Sequence, residues 1–218
     1  MRLFVTGTDT DIGKTVVTTA LAASGPGQVC AAKPVASGTV AGQPPEDAAR
    51  IAWAAQHEPR CFLSLEPAVS PHRALLMAGQ SLSPSALESW VRDLSGDTVL
   101  VEGVGGWGVP IQVGDAPVWV RDLARWNDGP VVVVAGNRLG VLNHTRLTVD
   151  AVRADGFSVA GIVLNGLPGQ SDESQRHNLA DLQHLMDVPV VAFPVLDPTD
   201  RPALVRAGTE VWARLKLC

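Results

Sequence analysis

Short apolar runs alternate with amphipathic stretches along the whole chain. The apolar runs predict strands over residues 3–6, 28–32, 98–101, 131–135, 159–164 and 190–193. Hydrophobic residues at helical spacing predict helices over residues 14–23, 47–56, 85–94, 143–154, 172–186 and 202–215. Because uninterrupted runs such as VVVVA are typical of strands buried on both faces, the pattern predicts an α/β fold with a parallel sheet and helices on both faces. Residues 59–83 fit this alternation least and predict only a short helical run over 73–78.

Composition and net charge limit the classes of function that we expect for this chain. A chain of 218 residues, 46% of them hydrophobic, suits a single domain over residues 1–218. The net charge of −5 argues against non-specific nucleic-acid binding, which requires a basic surface. No apolar run approaches the roughly 18 residues of a membrane-spanning helix, and the first strand lies so close to Met1 that we expect no signal peptide. The cysteines, Cys30, Cys61 and Cys218, have no metal-ligand spacing and indicate a reducing, cytoplasmic setting.

The first strand leads through a glycine-bearing turn into a helix. Gly13, Lys14 and Thr15 match the end of the phosphate-binding motif G-x-x-x-x-G-K-[ST], although the first glycine is Gly7 rather than residue 8. Backbone N–H groups around Gly13 and the positive end of the helix dipole would face one anionic site. Lys14 would contact the β- and γ-phosphates of a nucleotide, and the Thr15 hydroxyl would bind Mg²⁺. An ordinary turn is the alternative, but it would leave Lys14 facing the like-signed end of a helix dipole.

A second lysine follows the second strand. Only three of the seventeen basic residues are lysines, and one of them, Lys33, lies in the turn KPVASG. Because Pro34 disfavours helical geometry at the residue before it, Lys33 would project from a turn at the carboxyl edge of the sheet, with Ser37 close behind. We expect the first two strands to be close neighbours, which would bring Lys33 near the phosphate-binding loop. A structural turn with a solvated lysine is the alternative.

Two acidic residues are candidates for binding a metal ion. Glu102 ends the apolar strand TVLVE, where nucleotide-binding folds place a Mg²⁺ ligand or a group that orients water. The glycines that follow it would permit close approach of a ligand. A helix-capping or surface role for Glu102 remains the alternative. Asp47 lies at the start of a predicted helix, where it could equally be an N-cap or first-turn residue.

Two later turns also carry candidate residues. Gly140 and Asn143 follow the VVVVA strand and can open the next helix with free N–H groups, which would form another anion-binding site. Asn165 ends the strand AGIVLN, where its amide could contact a nucleobase. Asparagine also favours such turns for conformational reasons, so a structural role stays open.

Taken together and in this order, these segments resemble the dethiobiotin synthetase family, ATP-dependent carboxylases that close the ureido ring in biotin synthesis. The matching segments are GTDTDIGKT, KPVASG, SPH at residues 70–72, LVEGVGGW, LGVLNHT and the Asn-Gly pair that begins at residue 165. They cover most of the chain, and the early position of Gly7 is the family's own pattern. Through residues 59–95 the resemblance does not extend beyond SPH. It implies a P-loop NTPase-like fold for the whole chain.

The resemblance also implies a role for each matching residue. It makes Lys33, Lys14 and Thr10 catalytic, with Thr10 facing the substrate. The implied ATP-binding residues are Asp11, Ile12, Gly13, Lys14, Thr15, Val16, Asp47, Glu102, Gly103, Val104, Gly105, Asn165, Gly166, Pro194, Val195 and Leu196. The implied Mg²⁺ ligands are Thr15, Asp47 and Glu102. The implied substrate-binding residues are Ser37, Gly140, Val141 and Asn143, with the helix start at Gly140 acting across a homodimer interface.

The reaction implied by the resemblance has three steps. 7,8-Diaminononanoate takes up CO₂, supplied as bicarbonate, on one amine to give a carbamate. The carbamate oxygen then attacks the γ-phosphoryl group of ATP to give a carbamic-phosphoric anhydride. The neighbouring amine closes the ring and releases phosphate. Mg²⁺ is the implied cofactor, ATP is a co-substrate, and neither nucleic acid nor a membrane is an expected partner.

Two other functions remain open from the sequence. Cobyrinate- or cobyrate-type amidation synthases of cobalamin biosynthesis resemble this phosphate loop, but they carry a glutamine amidotransferase domain for which we expect no room in this chain. Nucleotide-switch ATPases of the MinD or ParA type carry an extra lysine near the first glycine of the loop, and residues 8–12 contain none.

Overall fold

The computed structural model describes residues 1–169 and 172–217. In chain order, the strands are β1 (Arg2–Gly7), β2 (Val29–Ala32), β3 (Val35–Ser37), β4 (Leu63–Leu65), β5 (Thr98–Glu102), β6 (Pro110–Gln112), β7 (Val118–Trp119), β8 (Val131–Gly136), β9 (Val159–Asn165) and β10 (Val190–Phe193). The helices are α1 (Lys14–Ser24), α2 (Glu46–Ala55), α3 (Pro71–Met77), α4 (Pro84–Arg92), α5 (Val120–Asn127), α6 (Val141–Ala154), α7 (Asn178–Leu185) and α8 (Arg201–Arg214). All six predicted strands are present, which confirms the predicted alternation.

Six strands form one parallel sheet in the order β10-β9-β8-β1-β5-β2. This confirms the predicted parallel sheet. The expectation that the first two strands are close neighbours is wrong, because β5 lies between β1 and β2. As a result, Glu102 at the end of β5 lies between the loop that follows β1 and the turn at Lys33 that follows β2.

Apolar side chains cover both faces of the sheet. Along β8, Val131, Val133 and Ala135 pack into one core cluster, whereas Val132 and Val134 pack into the other. Helices α3, α4, α5, α6 and α7 complete the first cluster, and α1, α2 and α8 complete the second. The near-continuous valine run of β8 is therefore buried on both sides, as its sequence predicts.

The prediction of one continuous helix over residues 172–186 is wrong. A 3-10 helix over Glu173–Arg176 precedes α7, and the chain changes conformation at His177. The side-chain Nδ2 of Asn178, a buried residue, donates a hydrogen bond to Oδ1 of Asn137 at 2.8 Å. This contact ties the start of α7 to the segment after β8, so tertiary structure overrides the local helical pattern.

Several short elements were not predicted. The pair β3–β4 is parallel and the pair β6–β7 is antiparallel, but strands of two or three residues carry no readable periodicity. Helix α5 has only eight residues and follows β7 without a turn. Residues 59–83 contain β4 and α3, and α3 corresponds to the short helical run expected at 73–78.

Two further observations concern the expectations from composition. Within residues 1–169 and 172–217, no helix combines the length and the hydrophobicity that crossing a bilayer requires. Cys30 and Cys61 are free thiols, and Cys218 lies outside the described residues. Burial raises the pKa of Cys61 to about 11, so this thiol is protonated at neutral pH.

Candidate active site

The phosphate-binding loop is closed by a contact between Gly13 and Asn165. Gly13 has a φ of 89°, a left-handed conformation that favours glycine, and it directly precedes α1. From the end of β9, Asn165 donates a hydrogen bond from Nδ2 to the carbonyl oxygen of Ile12 at 2.9 Å. A Cβ atom at position 13 would lie 2.0 Å from that Nδ2. Since no described side chain caps the start of α1, its first N–H groups are available to an anion.

Lys14 is the first residue of α1 and is only 6% exposed. Its Nζ donates a hydrogen bond to the carbonyl oxygen of Asp9 at 2.8 Å. Burial, together with repulsion from Lys33, lowers the pKa of Lys14 to about 8. The Asp9 carboxylate accepts a hydrogen bond from Nη2 of Arg138 at 2.9 Å. The ammonium group is therefore held by a neutral carbonyl oxygen, and its charge is available to a phosphate.

Lys33 lies at the centre of a charged cluster. Its Nζ donates hydrogen bonds to Oε1 of Glu102 at 2.6 Å and to the carbonyl oxygen of Gly103 at 3.0 Å. The same Nζ lies 3.1 Å from Oδ2 of Asp47. The hydroxyl of Thr15 donates a hydrogen bond to the same Oε1 of Glu102 at 2.9 Å. The cluster thus joins the start of α1, the turn after β2, the first turn of α2 and the end of β5.

The charges in this cluster stabilise one another. Burial alone would lower the pKa of Lys33, but the Glu102 and Asp47 carboxylates outweigh burial and raise it. Burial would raise the pKa of Asp47, but Lys33 outweighs it and holds that pKa below its ordinary value. Asp47 therefore stays ionised beside a protonated Lys33 at neutral pH. Glu102 is fully buried, and its Oε2 has no hydrogen-bond partner among the described residues, so one carboxylate oxygen is left open to a cation.

Two cavities adjoin this cluster. The first cavity, of about 400 Å³, is lined by residues that include Thr10, Asp11, Gly13, Lys14, Thr15, Val16, Lys33, Ser37, Asp47, Val104 and Gly105. The second cavity, of about 460 Å³, shares Thr10, Asp11, Ser37, Val104 and Gly105 with the first and extends to Val69 and Val109. A charged compartment is thus continuous with one that has apolar walls.

A second set of predicted site residues lies at the carboxyl ends of β9 and β10. Gly166 donates a backbone hydrogen bond to Phe193 at 2.8 Å, which joins the Asn-Gly turn to the segment of Pro194, Val195 and Leu196. These residues do not line the two cavities. Asn165 nevertheless connects them to the phosphate-binding loop through Ile12, which is itself buried.

The residues at the start of α6 lie apart from the charged cluster. Gly140 precedes the helix with a φ of 92°, Val141 is buried and Asn143 is exposed. None of the three lines the two cavities.

Three residues at the site were missed from the sequence. Asp9 holds Lys14 through its carbonyl oxygen and pairs with Arg138 through its carboxylate. Arg50 lines the first cavity from α2. Its position three residues after Asp47 places both on one helix face, and this spacing was a usable signal. Arg138 follows β8 at the carboxyl edge of the parallel sheet, where ligands commonly bind, and this position was a weaker sequence signal.

Comparison with known proteins gives close relatives along nearly the whole chain. A family model described as an AAA domain matches residues 1–203. The ATP-dependent dethiobiotin synthetase BioD of Pseudomonas paraeruginosa is 41% identical and the match covers 95% of this chain and 95% of that protein. The protein of the same name from Anoxybacillus flavithermus is 34% identical, and the match covers 86% of this chain and 88% of that protein.

A solved structure supports the fold independently. The septum site-determining protein MinD of Pyrococcus horikoshii, complexed with Mg-ADP, is similar with a TM-score of 0.54 and 17% identity, covering 99% of this chain and 94% of that chain. At this identity the similarity shows the fold alone, and it confirms the predicted P-loop architecture. The named relatives and the family model lead to one conclusion: the chain belongs to the ATP-dependent dethiobiotin synthetase family and is an enzyme of the ligase class.

Proposed function

We propose that this enzyme carboxylates 7,8-diaminononanoate and closes the ureido ring to give dethiobiotin, converting ATP to ADP and phosphate. The observation that carries the proposal is the convergence of Lys14, Lys33, Ser37 and Asp47 on one cavity at the start of α1. We further propose that residues 1–218 act as a single domain in this reaction.

In this proposal the phosphate-binding loop holds the triphosphate. The free N–H groups at the start of α1 and the Lys14 ammonium bind the phosphate oxygens, supported by Asp11, Ile12, Gly13, Thr15 and Val16. The adenine lies against Asn165, Gly166 and the backbone of Pro194, Val195 and Leu196. The buried Oδ1 of Asn165, which has no partner among the described residues, suits an amino group of the base. Glu102, Gly103, Val104 and Gly105 flank the nucleotide on the side of β5.

The residues present fit a magnesium ion. The hydroxyl of Thr15 and the carboxylates of Asp47 and Glu102 are the hard oxygen ligands that Mg²⁺ prefers, and Oε2 of Glu102 has no hydrogen-bond partner in the part of the chain that the structure describes. Within the described part of the chain, no three His, Cys, Asp or Glu side chains gather as a metal site, in keeping with an ion that takes few ligands from the protein. When bound, Mg²⁺ would neutralise charge on the β- and γ-phosphates.

In the proposed reaction, the residues of the charged cluster position the substrates and stabilise negative charge. The diamine takes up CO₂ on one neutral amine to give a carbamate, and Lys33 stabilises the carbamate oxygens. The carbamate oxygen attacks the γ-phosphoryl group, and Lys14 and Lys33 offset the negative charge that spreads over the transferring oxygens. The second amine attacks the carbamic carbon of the mixed anhydride, closes the five-membered ring and expels phosphate. No covalent bond to the protein forms, since positioning suffices.

The second cavity suits the aliphatic part of the diamine. Val69, Val104 and Val109 supply apolar walls, and Thr10 and Ser37 lie at the boundary with the charged cavity. A chain with two amines at one end and a methylene tail would therefore place its amines near Lys33 and its tail against the valines. This arrangement supports substrate roles for Thr10 and Ser37.

A homodimer would complete the substrate site. Leu139, in the turn before α6, and Leu147, within α6, are 80% and 61% exposed, and Asn143 is exposed between them in sequence. Exposed leucines of this kind favour burial against a partner. We propose that a second copy covers these leucines, so that Gly140, Val141 and Asn143 contact the substrate carboxylate of the neighbouring subunit. A cytoplasmic location and the absence of nucleic-acid or membrane partners complete the proposal.

The proposal is tested by identifying the product. Purified protein is incubated with MgATP, 7,8-diaminononanoate and ¹³C-bicarbonate, and the products are analysed by mass spectrometry. Dethiobiotin carrying one ¹³C atom, formed one-for-one with ADP, is expected. Formation of ADP without labelled dethiobiotin would instead favour a nucleotide-switch ATPase, and an amide product formed only with added glutamine or ammonia would favour an amidation synthase.

A further inference from the structure

Arg50 lies one helical turn after Asp47 and faces the same cavity. The buried residues Ala48, Ile51 and Ala54 fix the orientation of α2 on the sheet. This orientation places Arg50 in the wall of the first cavity together with Lys14 and Lys33. Its side chain is 31% exposed, so the guanidinium can be reached from the cavity and from solvent.

The protein partner of Arg50 holds it weakly. Among the described residues, the side chain of Arg50 hydrogen bonds only to the Glu46 carboxylate, and it does so through a single terminal nitrogen. Glu46 is 82% exposed, and ion pairs of this kind between residues i and i+4 contribute little to stability. An arginine has five N–H donors, so most of those on Arg50 remain open to another acceptor.

The charge balance of the first cavity also singles out Arg50. Its charged wall residues are the cations Lys14, Lys33 and Arg50 and the carboxylates Asp11 and Asp47. Glu102, which is hydrogen bonded to Lys33, adds a third carboxylate just behind this wall. A triphosphate is strongly anionic, so Arg50 offsets carboxylate charge that would otherwise disfavour its binding.

Arg50 also lines a third cavity, on the side of the proposed adenine-binding segment. This cavity, of about 400 Å³, is lined by Glu46, Ala49, Arg50, Trp53, Pro198 and Thr199. It lies between α2 and the segment after β10, which also contains Pro194, Val195 and Leu196, the proposed adenine contacts. Arg50 is therefore common to the cavity at the phosphate-binding loop and to the cavity beside the adenine segment.

We propose that Arg50 is a further nucleotide-binding residue, whose guanidinium exchanges Glu46 for the phosphate chain of ATP. The inference rests on the proposed function, because it takes the first cavity as the triphosphate site. Arginine suits this task because its planar donor fork binds phosphate oxygens in pairs.

The test measures binding without the diamine or bicarbonate. Dissociation constants for MgATP and for inorganic triphosphate, the latter by competition, are determined for the wild type, Arg50→Ala, Glu46→Gln and Arg92→Ala. Arg92 is the matched control, because it forms the same kind of exposed pair with Glu88 on α4 and lines none of the three cavities. We expect Arg50→Ala to weaken both ligands by roughly 10- to 100-fold, the scale of a lost charge-assisted hydrogen bond. Glu46→Gln, which frees Arg50, should bind both ligands at least as tightly as the wild type.

Three results would overturn the inference. Arg50→Ala could bind both ligands as tightly as Arg92→Ala, or it could lose affinity for MgATP while keeping that for triphosphate. Equal losses in Arg50→Ala and Glu46→Gln would mean that the Arg50–Glu46 pair merely supports α2. In all three cases the wild type still binds MgATP, so the proposed function stands, whereas a wild type that binds no MgATP refutes both.

Discussion

Nζ of Lys33 and Oε1 of Glu102 lie 2.6 Å apart, although 69 positions separate the two residues in the chain. Ala32 and Val101 are direct partners in the register of β2 with β5, so the residues that follow them emerge side by side at the carboxyl edge of the sheet. The pair is almost fully buried, with side-chain exposures of 4% and 0%. The sheet thus places a fixed positive charge beside the loop that we propose binds the triphosphate.

Lys33→Ala is expected to lower kcat by roughly 10²–10³-fold or more, the scale of losing one preorganised charge donor. The variant should also be less stable, by about 3–5 kcal/mol, because it leaves Glu102 buried without its partner. Steady-state kinetics and urea unfolding measure the two effects. Lys216→Gln, which changes an exposed lysine of the tail, is the control. A near-normal kcat in Lys33→Ala would remove Lys33 from the mechanism.

Lys14 should take up a proton when the nucleotide binds. Its pKa is about 8 in the described structure, and phosphate oxygens close to the ammonium would raise that pKa. MgATP binding between pH 8 and 9 should therefore absorb a fraction of a proton, and affinity should fall toward tenfold per pH unit above that range. At pH 6 Lys14 is already protonated before the nucleotide binds, so MgATP binding should cause no proton uptake by Lys14. Calorimetry in buffers of different ionisation enthalpy measures the uptake, and an unchanged uptake in Lys14→Met would contradict the assignment.

Gly13→Ala should disrupt the phosphate-binding loop by a clash as well as by strain. Gly13 and Gly156 have nearly the same φ, 89° and 88°, so alanine at either position costs roughly 1–2 kcal/mol of backbone strain. Of these two positions, only at 13 would the new Cβ strike a neighbour, Nδ2 of Asn165, whereas no atom of the described residues lies within 4 Å of a Cβ at position 156. Gly13→Ala should therefore weaken MgATP binding at least tenfold and Gly156→Ala should leave it unchanged. Equal effects of the two substitutions on binding would show that the contact with Asn165 is unimportant.

Glu102→Gln should raise the requirement for magnesium. The substitution keeps the shape of the side chain but replaces the carboxylate, one oxygen of which has no partner within residues 1–169 and 172–217. We expect the Mg²⁺ concentration for half-maximal rate to rise roughly 10-fold or more, and a chelator to abolish turnover of the wild type. Titration of initial rates with MgCl₂ measures this, with Glu88→Gln on the exposed face of α4 as the control. A wild-type rate that survives chelation would exclude the proposed metal role.

Much of the architecture could be predicted from the sequence because its signals are local. The apolar runs and the G-K-T turn specify the six strands and the start of α1 directly. The order of the strands in the sheet could not be predicted from such local signals. The insertion of β5 between β1 and β2 depends on long-range packing and corrects the expected adjacency of the first two strands, although Lys33 lines the same cavity as Lys14, as expected.

The same distinction applies to the candidate site, because some of its residues carry a local sequence signal and others do not. Lys14, Lys33, Asp47 and Glu102 could be identified because each stands at the end of a recognisable strand or the start of a helix. The Asp9–Arg138 pair could not, since its importance comes from a contact between distant segments, and Arg50 offered only its spacing from Asp47 as a signal. The start of α6 stays a prediction, because a single chain does not bring Gly140 to the charged cluster.

ADP release with each combination of co-substrates tests the central claim most directly. We predict that purified protein with MgATP releases ADP rapidly only when 7,8-diaminononanoate and bicarbonate are both present, because the γ-phosphoryl group has no acceptor until the carbamate forms. Omission of either compound should reduce the rate to background. Equal ADP release with and without the diamine would contradict the account.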